Sequence, residues 1–372
     1  MTVRTHDLHY MMLALRLAAK GYGKTSPNPM VGAIVVSNGR IVGQAYHHAA
    51  GQPHAEVLAL RQAGQLARGA TLYVTLEPCS HLKKRTPPCV PAVIQSGVHR
   101  VVVAMRDPNP AVSGKGIAQL RRAGLSVTVG VARKDAEALN QAYCHWIVTK
   151  RPYVTLKAGM TLDGQIATAH GESKWITGLQ SRREVHRLRS AMDAVIVGIG
   201  TVQKDNPSLT ARRSPGLTAL AAIQPTRIVV DSHLRIARSA KILTQQSSAK
   251  TIIATTKSAP LARRRALERQ GIEVLVLPSL GKRLSLKQLL TALGQRGMMS
   301  VMVEGGGELN AAFFKAKLVN HVQLYVAPTL LGGTQSKGVI GGVSPRRLAD
   351  AWKLRQVRTR VLGTDVVVEG DV

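Results

Sequence analysis

The sequence predicts an α/β protein of two layered domains, and three observations carry that prediction. A chain of 372 residues exceeds what one hydrophobic core usually serves. Aliphatic runs alternate with segments of helical spacing along most of its length. The stretch "YCHWIVTKRPYVTLK" breaks at Lys150, Arg151 and Pro152 between a helix end and a new strand, which places the domains at 1–150 and 151–372. Hydrophobic residues make up 45% of the chain, yet it has only two Phe, three Trp and seven Tyr, so the cores must be filled by Val, Leu, Ile, Ala and Met. Such aliphatic runs suit strands buried on both faces.

The elements of the first domain follow in order. "DLHYMMLALRLAAKG" has apolar residues at helical spacing, with Gly21 and Gly23 as a stop. "MVGAIVVSNGRIVGQAY" is two apolar runs around Asn38-Gly39, the pair that favours a tight hairpin. A helix "HAEVLALRQAG" precedes a strand "ATLYVTLEPC"; then come a Pro-rich loop, a helix "PAVIQSG", a strand "RVVVAM", a loop "RDPNPAVSGKG", a helix "IAQLRRAG" and a strand "SVTVGV". In the second domain the strands read as "YVTLKAGM", "AVIVGIG", "TRIVVDS", "KTIIAT", "EVLVLP", "MSVMVEG" and "HVQLYVAP". Helical segments such as "RREVHRLRS", "ARRRALERQ" and "LKQLLTALGQRG" lie between them.

A formal charge of +31 raises the question of nucleic acid. Residues 1–150 hold 18 Lys and Arg against 6 Asp and Glu, and residues 151–372 hold 33 against 14, so the excess per residue is nearly the same in both parts. That is a bias of the whole chain, not a footprint; nucleic acid is not expected as the main partner, whereas anionic small molecules are. "MTVRTHDLHYMML" has no charged-then-apolar leader, and no stretch reaches the roughly 18 apolar residues of a spanning helix, so a cytosolic protein without a membrane partner is expected. The three cysteines are too few for a disulfide framework and point to metal or catalysis. The sequence leaves assembly open, a homo-oligomer included.

The chemistry-bearing residues of the first domain cluster in "PHAE" (53–56) and "LEPCSHLKKRTPPC" (76–89). Zinc takes thiolate and imidazole, and a catalytic zinc keeps three protein ligands and an open place for water. His54, Cys79 and Cys89 make that set. Glu56 stands too near His54 in sequence to be an easy fourth ligand, yet is well placed to move protons of a bound water. This is the pattern of zinc deaminases, in which metal-activated water attacks an amine-bearing ring carbon and the glutamate carries a proton to departing ammonia. A His-x-Glu alone would read as a helix cap; the two cysteines at strand end and after Pro-Pro reverse that reading.

Deaminases of nucleosides and transfer RNA usually carry Cys-x-x-Cys, whereas nine residues separate Cys79 from Cys89. With "SPNPMVGAIVV", "HAE", "TLEPCSH…TPPC" and "DPNPAVSGKG" in that order, the chain resembles the bifunctional deaminase–reductases of riboflavin biosynthesis, and the resemblance runs through nearly its whole length. Members mostly have eight residues between the cysteines, so this basic loop carries one more. The resemblance implies a cytidine-deaminase-like zinc domain followed by a dihydrofolate-reductase-like domain. It also implies a diaminohydroxypyrimidine substrate with a phosphoribosylamino group, and places Asn28, His47, His81 and Lys115 around the deaminase pocket.

The second domain has no complete G-x-G-x-x-G after its first strand; "GIGTVQ" (198–203) lacks the third glycine. "VMVEGGGELNAAFF" (301–314) runs from a strand through Gly305, Gly306 and Gly307 into a helix, a turn that can bring backbone N–H groups to a phosphate. "KAGMTLDGQIAT", "SKWITG", "DAVIVGIGTVQKDNPSLTAR" and "RIVVDSHLRI" resemble the reductase half of the same family, which uses NADPH. Carried over by position, Gly159, Trp175, Thr201, Asp205, Ser232, Gly306, Gly307 and Glu308 would contact cofactor. Ser173, Arg189, Leu209, Arg212 and Glu304 would contact substrate, the arginines because a guanidinium can grip phosphate at two points. Lys157 and Asp205 are the candidates for assisting protonation. Two other readings compete: a transfer-RNA adenosine deaminase with a basic C-terminal binding part, which predicts Cys-x-x-Cys and a localised basic patch, and a non-catalytic zinc module, which leaves Glu56 unexplained.

Overall fold

The computed structural model describes residues 3–81, 86–212 and 223–372. The chain divides into two compact units, Met1–Lys150 and Arg151–Val372.

In the first unit α1 (Val3–Ala18) leads to β1 (Gly32–Ser37) and β2 (Arg40–Tyr46); α2 (Ala55–Ala63), β3 (Thr71–Leu76), α3 (Cys89–Gln95), β4 (Arg100–Met105), α4 (Lys115–Arg122), β5 (Ser126–Val129), α5 (Arg133–Leu139) and α6 (Gln141–Thr149) follow. The sheet runs β2-β1-β3-β4-β5, antiparallel across the first three strands and parallel across the last three. Asn38 and Gly39 turn the hairpin with φ of 48° and 74°, the left-handed values that a tight right-twisting hairpin requires. A side chain at Gly43 would lie 2.1 Å from the Ala59 carbonyl, so glycine there lets α2 settle onto β2. Since His54 caps α2, this close approach fixes where the imidazole stands relative to the sheet.

The second unit begins with β6 (Tyr153–Thr161), β7 (Gln165–Ala167), α7 (Leu179–Ala191), β8 (Ala194–Gly198) and α8 (Ile199–Asp205). It continues through β9 (Thr226–Val230), α9 (Lys241–Thr244), β10 (Thr251–Thr256), α10 (Leu261–Glu268) and β11 (Glu273–Leu277) to the short strands β12 (Ser279–Leu280) and β13 (Arg283–Leu284). After α11 (Leu286–Gln295) come β14 (Ser300–Val303), α12 (Gly307–Lys315), β15 (His321–Ala327), β16 (Lys337–Gly338), β17 (Arg355–Leu362) and β18 (Asp365–Asp371). Nine strands form one sheet, β11-β10-β9-β8-β14-β6-β15-β18-β17, parallel from β11 to β15 and finished by an antiparallel hairpin. Alternate residues of one strand serve two cores: Ala194 and Ile196 pack with Leu289, Leu293 and Phe313, while Val195 and Val197 pack with Leu234 and Ile253. Burial on both faces is why these strands read as unbroken aliphatic runs.

The alternation locates the aliphatic strands but not the terminal hairpin. β17 is exposed at every residue except Leu362, which is half-buried, so it has no buried face to write a pattern into the sequence.

Candidate active sites

The first site gathers at the N-termini of two helices and the end of one strand. His54 is the cap residue of α2, Glu56 lies in its first turn, Cys79 follows β3, and Cys89 opens α3. The ligand atoms of His54, Cys79 and Cys89 all lie within 4.8 Å of one another. The His54 Nδ1 atom stands 3.1 Å from Cys89 Sγ and 3.5 Å from Cys79 Sγ. The Cys89 backbone N–H donates to Cys79 Sγ at 3.4 Å, a contact that favours the thiolate. Two sulfurs and one imidazole nitrogen converging in this way fit zinc.

Glu56 is buried, and its Oε2 has no hydrogen-bond partner among the described residues. Burial pushes its carboxyl above the usual carboxylate range, with the Cys79 sulfur adding to the shift. His47 lies 5.2 Å from His54, ring centre to ring centre. Its Nδ1 donates to the Pro53 carbonyl at 3.3 Å and its Nε2 accepts from Asn28 Nδ2 at 3.0 Å, so the ring is held neutral, consistent with a pKa lowered by burial. Asn28 and His47 are therefore joined to each other beside the ligand set. His81 follows two residues after Cys79 and has a buried Nδ1 with no hydrogen-bond partner among the described residues. Lys115 is exposed at the first position of α4, on a surface cavity shared with Arg106 and Arg122. Four of the nine residues between the cysteines, 82–85, in the loop expected to carry the extra residue, lie outside the described residues.

The second site is a cleft of about 480 Å³ in the reductase-like unit. Gly159, Ser173, Trp175, Thr201, Asp205, Arg189, Leu209, Arg212, Glu304 and Gly306 all line it. Ser173 Oγ donates to Asp205 Oδ1 at 2.9 Å, and Thr201 Oγ1 accepts from the Gly306 N–H at 3.2 Å. Trp175 is 71% exposed, with the Arg182 guanidinium 4.8 Å from its ring centre. Ser232, Gly307 and Glu308 stand outside this lining. Ser232 Oγ accepts from the Leu284 N–H, and Glu308 pairs with Arg283 on the surface.

The glycine turn divides in an unexpected way. Side chains at Gly305 and Gly307 would meet Leu309 at 2.8 Å and the Gly338 carbonyl at 2.6 Å, so the chain's own packing requires those two glycines. At Gly306 the nearest atom would be Thr201 Oγ1 at 3.5 Å, which leaves room on the cleft side. Gly306 is the cap residue of α12.

Arg189 also departs from expectation. Its fork grips Glu304 at two points, Nε to Oε1 at 2.7 Å and Nη2 to Oε2 at 2.8 Å, so the paired grip foreseen for a phosphate is taken by a carboxylate. Lys157 Nζ lies 3.9 Å from the same carboxylate, and its pKa is lowered by burial. Against its own burial, Glu304 is held down to about 2 by Arg189 first and Lys157 next. His186, whose Nδ1 accepts the Arg212 N–H at 3.2 Å, is lowered to about 4 by burial and by Arg189 and Arg212.

Comparison with known proteins matches both halves. A model described as the RibD C-terminal domain matches residues 152–368, and one described as the cytidine and deoxycytidylate deaminase zinc-binding region matches residues 4–105. The riboflavin biosynthesis protein RibD of Aquifex aeolicus is 46% identical over 98% of each chain, and that of Escherichia coli K12 is 42% identical over 97% of this chain and 98% of its own. The chain belongs to the RibD family. A solved Acinetobacter baumannii RibD superposes with a TM-score of 0.89 at 37% identity over the whole of both chains. A Thermotoga maritima structure, titled a diaminohydroxyphosphoribosylaminopyrimidine deaminase/5-amino-6-(5-phosphoribosylamino)uracil reductase, gives 0.85 at 33% identity, covering 100% of this chain and 99% of that one. The chain is a bifunctional deaminase and reductase of riboflavin biosynthesis with zinc and NADPH as cofactors; the transfer-RNA deaminase reading has no support.

Three residues at or beside the candidate sites escape a reading of the sequence. Thr86 Oγ1 lies 3.1 Å from His54 Nε2. Glu77 is buried and accepts backbone N–H groups of Asp107, Gly114, Gly116 and Ile117, which ties "DPNPAVSGKG" to the strand end that carries Cys79. His186 lines the reductase cleft. The only advance signal was position: Thr86 and Glu77 fall inside the motifs "TPPC" and "LEPC". Among the described residues no helix is long and apolar enough to cross a membrane.

Proposed function

We propose that residues 1–150 hydrolyse the 2-amino group from a diaminohydroxypyrimidine bearing a phosphoribosylamino group, and that residues 151–372 then reduce its ribosyl chain to ribityl with NADPH. The observation that carries the deaminase assignment is the buried Oε2 of Glu56, without a hydrogen-bond partner among the described residues, beside three converging ligand atoms. His54 Nδ1, Cys79 Sγ and Cys89 Sγ would hold the metal. Bound zinc supplies Lewis acidity that makes water acidic enough to ionise near neutral pH. Glu56 then takes a proton at Oε2 and delivers it to the leaving amine, two transfers for which a carboxyl with a raised pKa is suited. Asn28 and the neutral His47 wall the pocket without adding charge.

In the reductase cleft, NADPH supplies hydride to the ring-opened ribosyl carbon. Gly306, Thr201, Gly159, Asp205 and Trp175 form the cofactor side; Ser173, Leu209 and Arg212 form the substrate side. Of the two arginines proposed for the substrate, Arg189 is committed to Glu304, and Arg212 is left for the phosphate; Arg182, also on the cleft, lies against the Trp175 ring. Lys157 suits the accompanying protonation better than Asp205, because burial lowers its pKa toward the range of a proton donor while Asp205 Oδ1 is engaged by Ser173. The cytosol fits this assignment, since a reducing compartment keeps Cys79 and Cys89 as free thiols able to bind metal.

The test is purified protein with the phosphoribosylaminopyrimidine, with and without NADPH. Ammonia should appear without NADPH, and NADPH should be consumed once it is added. Reduction that precedes ammonia release would overturn the order proposed here.

A further inference from the structure

We infer that Thr86 is a positioning residue for the metal site: its hydroxyl fixes the tautomer and rotation of the His54 ring, so that Nδ1 faces Cys79 and Cys89. This rests on His54, Cys79 and Cys89 being the metal ligands. The His54 Nδ1 lies 3.1 and 3.5 Å from the two sulfurs, so its lone pair must point at them when a metal is held. The ring proton then belongs on Nε2. Thr86 Oγ1 is 3.1 Å from Nε2 and can accept that proton. A ligating imidazole whose far N–H is held by an oxygen is fixed in orientation and is a better donor, and loss of such a partner typically costs about 10- to 100-fold in metal affinity.

The local sequence gives this contact a second use. Thr86 and Cys89 are joined only by Pro87 and Pro88, and Pro88 sits at φ −64°, ψ 148° as the cap residue of α3. Two consecutive rings restrict the backbone, so the spacing between the residue that orients His54 and the residue that supplies a thiolate is held stiffly. Cys89 is further anchored by its N–H to the Cys79 carbonyl at 3.0 Å. One short segment thus supplies a ligand with one end and aims another ligand with the other.

Full-length Thr86→Val and Thr86→Ser proteins separate the hydroxyl from the bulk of the side chain. Zinc affinity is read by competition with a chromogenic chelator, without substrate, so it does not depend on the assigned reaction. Thr86→Val should bind zinc about tenfold or more weakly, and Thr86→Ser should stay within about twofold of wild type. In the cobalt-loaded proteins, the visible bands that report ligand geometry should shift for valine and not for serine. NADPH oxidation with deaminated substrate should be unchanged in both and serves as the control for folding. Unaltered zinc affinity in Thr86→Val overturns the inference, and so does equal weakening in Thr86→Ser, which would mean that methyl packing is what matters. If wild-type protein itself held no zinc, the ligand assignment would fall first and this inference with it.

Discussion

Glu56 is buried and Glu304 largely so, each stands in one of the two candidate sites, and their surroundings push the two carboxylates in opposite directions. Glu56 keeps one oxygen without a hydrogen-bond partner among the described residues, and burial raises its pKa. Glu304 has both oxygens gripped by Arg189 with Lys157 nearby, and is held down to about 2. Burial alone therefore does not mark a proton carrier. A buried carboxylate that no guanidinium grips has its pKa raised and takes up a proton more readily; one gripped by cations stays a fixed negative charge and organises the cations around it.

The largest effect should come from removing the carboxylate whose pKa is raised. Glu56→Gln keeps size and shape but cannot accept a proton, and general acid–base groups typically contribute about 10²- to 10⁴-fold. Ammonia release should fall by at least about 10²-fold while zinc stays bound. The same protein given deaminated substrate should oxidise NADPH at close to the wild-type rate. Abolished reduction in folded, zinc-loaded protein would show that the two sites are not independent.

Removing the paired carboxylate should act on stability instead. Glu304→Gln leaves Arg189 and Lys157 as two cations without their counter-charge, and breaking a buried pair from one side costs on the order of 3 kcal/mol. Hydrogen exchange should accelerate by roughly 10²-fold in the strands around it, 153–161 and 300–303, and stay unchanged in the first unit. The pH dependence has a definite sign. Glu304 falls from 4.5 to about 2 on folding, so its contribution is complete above about pH 4.5 and is lost as pH drops toward 2. In Glu304→Gln that acid-sensitive part should vanish. If the variant exchanges like wild type, the ion pair is not what fixes the cleft floor.

A smaller effect should separate the glycines. Gly306→Val meets no backbone strain, since φ is −75° there, and its nearest neighbour is 3.5 Å away. The branched side chain would instead fill the cleft, so KM for NADPH should rise by about tenfold in folded protein with normal deamination. Unchanged NADPH affinity would return the whole turn to a packing role.

These contrasts also explain what the sequence disclosed. His54, Glu56, Cys79 and Cys89 are rare residue types within one short span, so their chemistry can be read before any fold is known. The Asn38-Gly39 hairpin is legible because left-handed φ values demand those residues. The pairing of Arg189 with Glu304 is not legible: 115 residues separate them, and nothing in an arginine shows whether it meets a phosphate or a carboxylate. Gly305, Gly306 and Gly307 look alike in sequence, and only the atoms around them show that a side chain would clash at 305 and 307 and would have room at 306. Thr86 was hidden because a loop hydroxyl is ordinary until an imidazole is placed beside it.

The smallest expected effect tests which arginine meets the substrate. Arg212 is exposed on the cleft, in contrast to the paired Arg189, and its backbone N–H holds His186 Nδ1. Arg212→Ala keeps that backbone contact and removes only the guanidinium. An exposed charge contact contributes up to about 1 kcal/mol, so KM for the deaminated, phosphorylated substrate should rise by about fivefold, with kcat and ammonia release close to wild type. Because exposed charges are screened, the gap between variant and wild type should narrow as salt increases. A change in KM for NADPH with none for the substrate would move Arg212 to the cofactor side of the cleft. The phosphate would then need another partner, and His186 is a poor one: with its pKa at about 4 it is neutral at neutral pH and can offer a hydrogen bond but no charge.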